Sequence, residues 1–104
     1  MHMELAQLVQ QNRSEILSIC QRHGVTRVFV FGSVVHGTAG LDSDLDLLLE
    51  RAQSPAGAPL RTRWWPGGLV LELERLLDRK VDVVTEAGLH PLIRAAVLRE
   101  ARDI

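Results

Sequence analysis

The segment Val28-Phe29-Val30-Phe31-Gly32-Ser33-Val34-Val35-His36-Gly37-Thr38-Ala39-Gly40-Leu41-Asp42-Ser43-Asp44-Leu45-Asp46-Leu47-Leu48-Leu49 has three parts. A β-branched and aromatic run stops at Gly32-Ser33, a polar connection with two further glycines follows, and a second apolar run opens with Asp44 and Asp46. Short apolar runs bounded by Gly and polar residues are strands. Side chains alternate faces along a strand at about 3.3 Å per residue, so Asp44 and Asp46 project the same way from Cα atoms roughly 6.5 to 7 Å apart. Two like carboxylates on one face repel, and a divalent cation or an Arg is the simplest way to neutralise them. Oxygen-only ligands suit Mg²⁺ or Mn²⁺ rather than Zn²⁺, and Mg²⁺ commonly combines one or two carboxylates with substrate phosphate oxygens. The pattern implies a nucleotide.

Gly32-Ser33 supplies the other half of such a site. A Gly at the end of a buried strand lets the backbone come close to a ligand, and Ser33 offers a hydroxyl and an N–H. A short helix starting at Ser33 would add free N–H groups suited to phosphate.

Gly32-Ser33, positions 34 to 43 and Asp44-Leu45-Asp46 together resemble the Gly-Ser, spacer, Asp-x-Asp signature of the DNA polymerase β-like nucleotidyltransferase superfamily. With Phe31 before the Gly, Gly37 after it, Ser43 before the first Asp and an aliphatic run after the second, the match is similar to the minimal nucleotidyltransferases (MNT), the antitoxins of HEPN/MNT toxin–antitoxin pairs. Leu71 to Thr85 resembles the later helix and third acidic strand of that family, and Ile93 to Ala101 its closing helix, so the likeness covers essentially the whole chain. It implies an α/β (α+β) fold, a small mixed sheet of about three strands flanked by helices, forming one domain over residues 1–104.

The resemblance also assigns roles. Asp44, Asp46 and Asp82 become the catalytic, metal-binding acids, and Gly32, Ser33 and Ser43 bind the nucleotide. ATP is the substrate and two Mg²⁺ ions, with Mn²⁺ as a substitute, are the cofactors; one activates an acceptor hydroxyl and the other neutralises the leaving pyrophosphate. The acceptor is a hydroxyl, a tyrosine in the family, on a partner HEPN-domain toxin. From the residues alone, Asp82 alternates with Val81 and Val83, and a metal-binding role weighs no more than that of a solvated edge acid or the partner of an Arg.

The chain departs from the family at two places. Where the family carries Arg, this sequence has Val34 and His36, which removes two cations from the neighbourhood of the phosphates. His36 is then either a partial replacement near the triphosphate or a surface histidine. The loss opens two further readings: an antitoxin that neutralises its toxin by binding alone, or a nucleotidyltransferase acting on a small-molecule hydroxyl.

Composition narrows the alternatives. With 12 Lys and Arg against 13 Asp and Glu, the chain has no basic stripe of the kind that direct nucleic-acid binding requires. No apolar segment approaches the ~20 residues that span a bilayer, and Met1-His2-Met3-Glu4 lacks the start of a signal peptide, so a cytoplasmic location without membrane contact is expected. Cys20, the single cysteine, excludes an internal disulfide and reads as a core thiol. His2, His23 and His90 have no metal-ligand spacing and read as structural.

Leu5, Leu8, Val9, Ile16, Ile19 and Cys20 recur at helical spacing, broken at Asn12-Arg13-Ser14, where Ser14 is expected to cap a second helix from Glu15 to Arg22. Strands are expected over Thr26–Phe31, Leu45–Glu50 and Lys80–Thr85, and a short helix over Ser33–His36. Residues 51 to 67, with Pro55, Gly57, Pro59, Pro66 and Gly67, read as an irregular loop. Its Trp64-Trp65 pair is expected to anchor the loop to the core and cover a rim, or to stack on adenine or a partner. The next helix presents Leu69, Leu73, Leu76 and Leu77 to the core, with Glu72, Glu74, Arg75, Asp78 and Arg79 facing water. Pro91 opens a last helix whose Leu92, Ile93, Ala96, Val97, Leu98 and Ala101 make a broad apolar surface, either fully taken by the core or partly kept for a partner.

Overall fold

The computed structural model describes residues 4–37, 43–52 and 65–104. In chain order these form α1 (Leu5–Gln11), α2 (Arg13–Arg22), β1 (Val25–Phe31), α3 (Ser33–His36), β2 (Leu45–Arg51), α4 (Gly67–Leu77), β3 (Val81–Thr85), a 3-10 turn (Glu86–Gly88), α5 (Pro91–Glu100) and β4 (Arg102–Asp103). The strands lie in the order β3-β2-β1-β4. β1 runs antiparallel to β2 and β4, whereas β2 and β3 are parallel, with α4 in the crossover between them. The mixed α/β class matches the expectation, and the sheet has a fourth, edge strand that the sequence did not announce.

Alternation along β2 divides the molecule into two layers. Leu45, Leu47 and Leu49 enter the main core with Leu5 and Val9 of α1, Ile16, Ile19 and Cys20 of α2, and Leu69, Leu73 and Leu77 of α4. Leu48 points to the other face, where it packs with Leu89 and Val97, flanked by Phe29, Phe31, Val84 and Ala101. Fully burying one such aliphatic side chain is worth about 1.5–3 kcal/mol, so the three-helix face dominates the stability. That leaves the second face only partly covered, and the acidic positions fall there. Among the described residues no helix is long and apolar enough to cross a membrane.

Several local expectations change. α2 begins at Arg13, not Glu15, because Asn12 ends α1 and starts α2 while its Nδ2 donates to the Leu8 carbonyl at 2.8 Å; Ser14 therefore lies inside the first turn. Glu72 and Glu74 do not simply face water. Glu72 bonds Arg22 at 3.1 Å and His23 at 3.3 Å, tying α4 to α2, and Glu74 Oε2 accepts the Val81 N–H at 3.0 Å where α4 gives way to β3. His23 and His90 are structural, the latter accepting the Leu92 N–H on Nδ1 at 3.1 Å as the cap of α5. Cys20 is buried, and burial pushes its thiol up to about 11, which makes it unreactive.

α5 resolves the alternative posed by its apolar residues. Val97 is buried, but Leu92 is 87% exposed, Ile93 50% and Leu98 42%, because among the described residues a single helix meets this side of the sheet and only part of its circumference touches it. Leu92→Ser is accordingly expected to change stability by less than about 0.5 kcal/mol in a denaturant titration, the ordinary range for a surface position.

Candidate active site

Each of the expected site residues is described. β1 ends at Phe31, which lies opposite Asp46 in the antiparallel ladder, so the chain turns into Gly32 directly beside that carboxylate. Gly32 adopts φ 76°, ψ −143°, a conformation open essentially to glycine alone. A Cβ at this position would overlap Asp46 Oδ2 and stand 3.3 Å from its Cγ. The absence of a side chain is therefore what leaves room for the acid.

α3 follows at once, with the bounds expected from the sequence, and ends at Gly37 in the left-handed conformation. The Val35 and His36 N–H groups both return to the Gly32 carbonyl at 3.1 Å. Those of Ser33 and Val34 make no backbone bond among the described residues and stand ahead of the turn. Val34 packs against the main core, and His36 Nε2 lies 3.1 Å from Glu100 Oε1 at the end of α5. Neither residue that replaces a family arginine is thus placed as a spare cation. The partner of His36 was not legible in the sequence, because nothing in local spacing links it to Glu100.

On the other side of Asp46 the parallel ladder sets Asp82 in direct register with it. Both acids share the face of Leu48 and Val84, by alternation along their strands. Asp44 is exposed and lies one residue before β2, with Ser43, half-buried, before it. The Leu45 N–H donates to the Lys80 carbonyl at 2.9 Å, fixing where the two strands begin to pair. Asp82 is exposed and Asp46 half-buried.

Burial first, and then the charges of Asp82 and Asp44, hold the Asp46 carboxyl above its ordinary value. Among the described residues no ion pair reaches Asp44, Asp46 or Asp82, and no three His, Cys, Asp or Glu side chains are drawn into a coordination cluster. The acids are gathered by register and charge, not by a closed cage. An oxygen-only donor set with mutual repulsion and no cation paired to it among the described residues fits hard divalent ions, which would be held by these three residues.

A raised folded-state value means that the proton favours the folded chain. The stabilisation it brings is complete below the unfolded Asp value, about 3.9, and is lost as pH rises through the folded one. Without divalent metal, Asp46→Asn is therefore expected to melt above the wild type at neutral pH, with the gap closing on acidification. Thermal melts across that range check the sign.

Trp65 lies elsewhere. It is half-buried against the main core, and the Arg51 guanidinium sits 3.8 Å over its ring. Both line a cavity of about 590 Å³ with Thr85, Glu86 and Arg94 at the far ends of β2 and β3. Arg51 is five residues along β2 from Asp46, on the order of 16 Å. Trp65 thus fits the anchoring expectation and not adenine stacking beside the acids. Trp64 lies outside the described residues.

Comparison with known proteins identifies the family. The nucleotidyltransferase domain family matches residues 13–104. A Methanocaldococcus jannaschii protein, MJ0435, named as a candidate protein adenylyltransferase, is 32% identical over 92% of this chain and 97% of its own length. The protein adenylyltransferase MntA of Thermococcus cleftensis is 38% identical over 77% of this chain and 75% of its own. A solved structure described as a candidate minimal nucleotidyltransferase superposes with a TM-score of 0.80 at 45% identity, covering 99% of this chain and 98% of that one. A toxin–antitoxin crystal structure with AMP-PNP shares the fold at TM-score 0.66 and 22% identity, over 88% of this chain and 71% of that one. With a strand-ending Gly beside one acid and a second acid in register across the next strand, the chain belongs to the nucleotidyltransferase domain family.

Proposed function

We propose that this chain is a single-domain, ATP-dependent protein adenylyltransferase of the antitoxin kind, transferring AMP to a hydroxyl, a tyrosine by resemblance, of a partner HEPN-domain toxin in the cytoplasm. The observation that carries the reading is the register of Asp46 with Asp82 beside a glycine that leaves Asp46 its space. Two relatives named for protein adenylylation support it.

In this reading Asp44, Asp46 and Asp82 hold two Mg²⁺ ions. Bound there, divalent ions lower the pKa of an acceptor hydroxyl and neutralise charge developing on the phosphates. The chain contributes position. Gly32 lets the triphosphate approach the backbone, the Ser33 hydroxyl and the leading N–H groups of the turn donate to its oxygens, and Ser43 orients the first acid. Asp82, exposed on the neighbouring strand, faces the incoming hydroxyl. Rate enhancement then comes from alignment and fixed charge.

The experiment is incubation of the protein with ATP, Mg²⁺ and the product of the neighbouring gene, followed by intact-mass measurement of both chains. Gain of AMP on the neighbour is the expected result. Tight complex formation without mass gain favours the second reading, neutralisation by binding alone, which the placement of Val34 in the core and of His36 against Glu100 motivates. Transfer only to an added aminoglycoside would favour a small-molecule acceptor.

A further inference from the structure

α3 carries Ser33, yet it is a single turn. It buries no side chain completely, and its own backbone bonds are few: two return to the Gly32 carbonyl and one runs from the Gly37 N–H to the Ser33 carbonyl. One turn fixes several dihedrals for little hydrogen bonding and does not hold itself in place. Its orientation is set from outside, by Val34 against the main core and by the 3.1 Å contact of His36 Nε2 with Glu100 Oε1.

Glu100 is the anchored member of that pair. It is the last residue of α5, and the next residue, Ala101, donates its N–H to Val97 at 2.9 Å and packs into the second cluster. Arg102 and Asp103 then pair with Val30 and Phe29 of β1, the strand that runs into Gly32. α5 and β4 thus bring Glu100 back beside His36, the last residue of α3. The His36 side chain is 53% exposed and that of Glu100 35%, so the pair adds little to global stability.

We propose that Glu100 is a positioning residue for nucleotide binding, acting through His36 to hold the Gly32–Ser33 turn in its binding-ready orientation. The proposal rests on the transferase reading above. Glu100 touches no substrate; the tie removes the need to order the turn when ATP arrives. Releasing it restores that ordering cost, expected to weaken ATP binding by about 3- to 10-fold.

The test measures the Kd for ATP with Mg²⁺, by calorimetry, on wild type, His36→Gln, Glu100→Gln, the double variant and His36→Arg, with unliganded melts as a check of folding. Each removal of the tie is expected to raise Kd by a similar factor. The double variant should be no worse than either single one, and His36→Arg, which can still reach Glu100 with a permanent charge, should bind as the wild type does. If His36 instead served the phosphates directly, Glu100→Gln would leave Kd unchanged or lower it. That result, or a double variant whose loss multiplies the two single losses, overturns the proposal while leaving the transferase reading in place. A wild type that binds no Mg²⁺ and ATP overturns the transferase reading, and this proposal with it.

Discussion

Asp46→Asn is expected to lower nucleotidyl transfer by at least about 10³-fold, a loss of roughly 4 kcal/mol of transition-state stabilisation, without unfolding the chain. Asp46 is the acid that belongs to every part of the site. It sits against Gly32, lies in register with Asp82, and its carboxyl responds to burial and to both neighbouring acids. Asparagine keeps the shape and removes the charge that would hold divalent ions. The same charge opposes folding while no metal is bound, so the inactive variant should be at least as heat-resistant as the wild type. Glu50→Gln is the matched control, because Glu50 lies on the same strand at an exposed position 4.0 Å from Arg27, away from the acids. Its turnover should stay within twofold of wild type. Turnover with labelled ATP separates the two variants, and transfer by Asp46→Asn within tenfold of wild type would remove Asp46 from the mechanism.

Gly32→Ala should produce the second large effect, by geometry instead of charge. The added Cβ collides with the Asp46 carboxylate, and the backbone conformation itself costs a non-glycine residue about 1–3 kcal/mol. At about 4–8 °C per kcal/mol for a domain of this size, a fall in Tm of roughly 5 to 20 °C is expected. Displacing a catalytic group by about 1 Å costs on the order of 10²-fold in rate, so transfer should fall by at least that factor in the fraction that remains folded. Gly37→Asn is the contrast. Gly37 also has a positive φ, but it lies in the left-handed helical region that Asn tolerates, and among the described residues nothing stands within 4 Å of an added Cβ. Calorimetry and the transfer assay should find Gly37→Asn nearly wild type in both respects.

The parts of the site that follow from local chemistry were legible before any coordinates. Alternation from Asp44 to Leu47 at the head of an apolar run puts the two acids on one face, and the Gly-Ser break after an apolar run gives both the end of β1 and the bounds of α3. Asp82 was ambiguous on its own, since alternation fixes a face but not a neighbour; the parallel crossover through α4 sets it against Asp46. β4 left no signal. Arg102-Asp103 has no strand propensity and is extended because β1 offers a free edge. The pairing of His36 with Glu100 is likewise a consequence of tertiary return, as are the bonds that draw Glu72 and Glu74 out of solvent. Helical periodicity in α5 marked which positions are apolar, but how many are covered depends on what else packs on that face. There α5 is accompanied by little beyond Leu89.

The most direct test of the central claim, that the acids beside the Gly32–Ser33 turn hold metal-bound ATP, is the melting temperature of wild type, Asp46→Asn and Asp82→Asn in Mg²⁺ with a non-hydrolysable ATP analogue. At 100 times Kd a bound ligand adds about 2.7 kcal/mol, so the wild type should rise by roughly 10 °C or more and only when both Mg²⁺ and analogue are present, while neither variant rises. Equal rises in all three proteins, or a wild-type rise that ignores Mg²⁺, would contradict it.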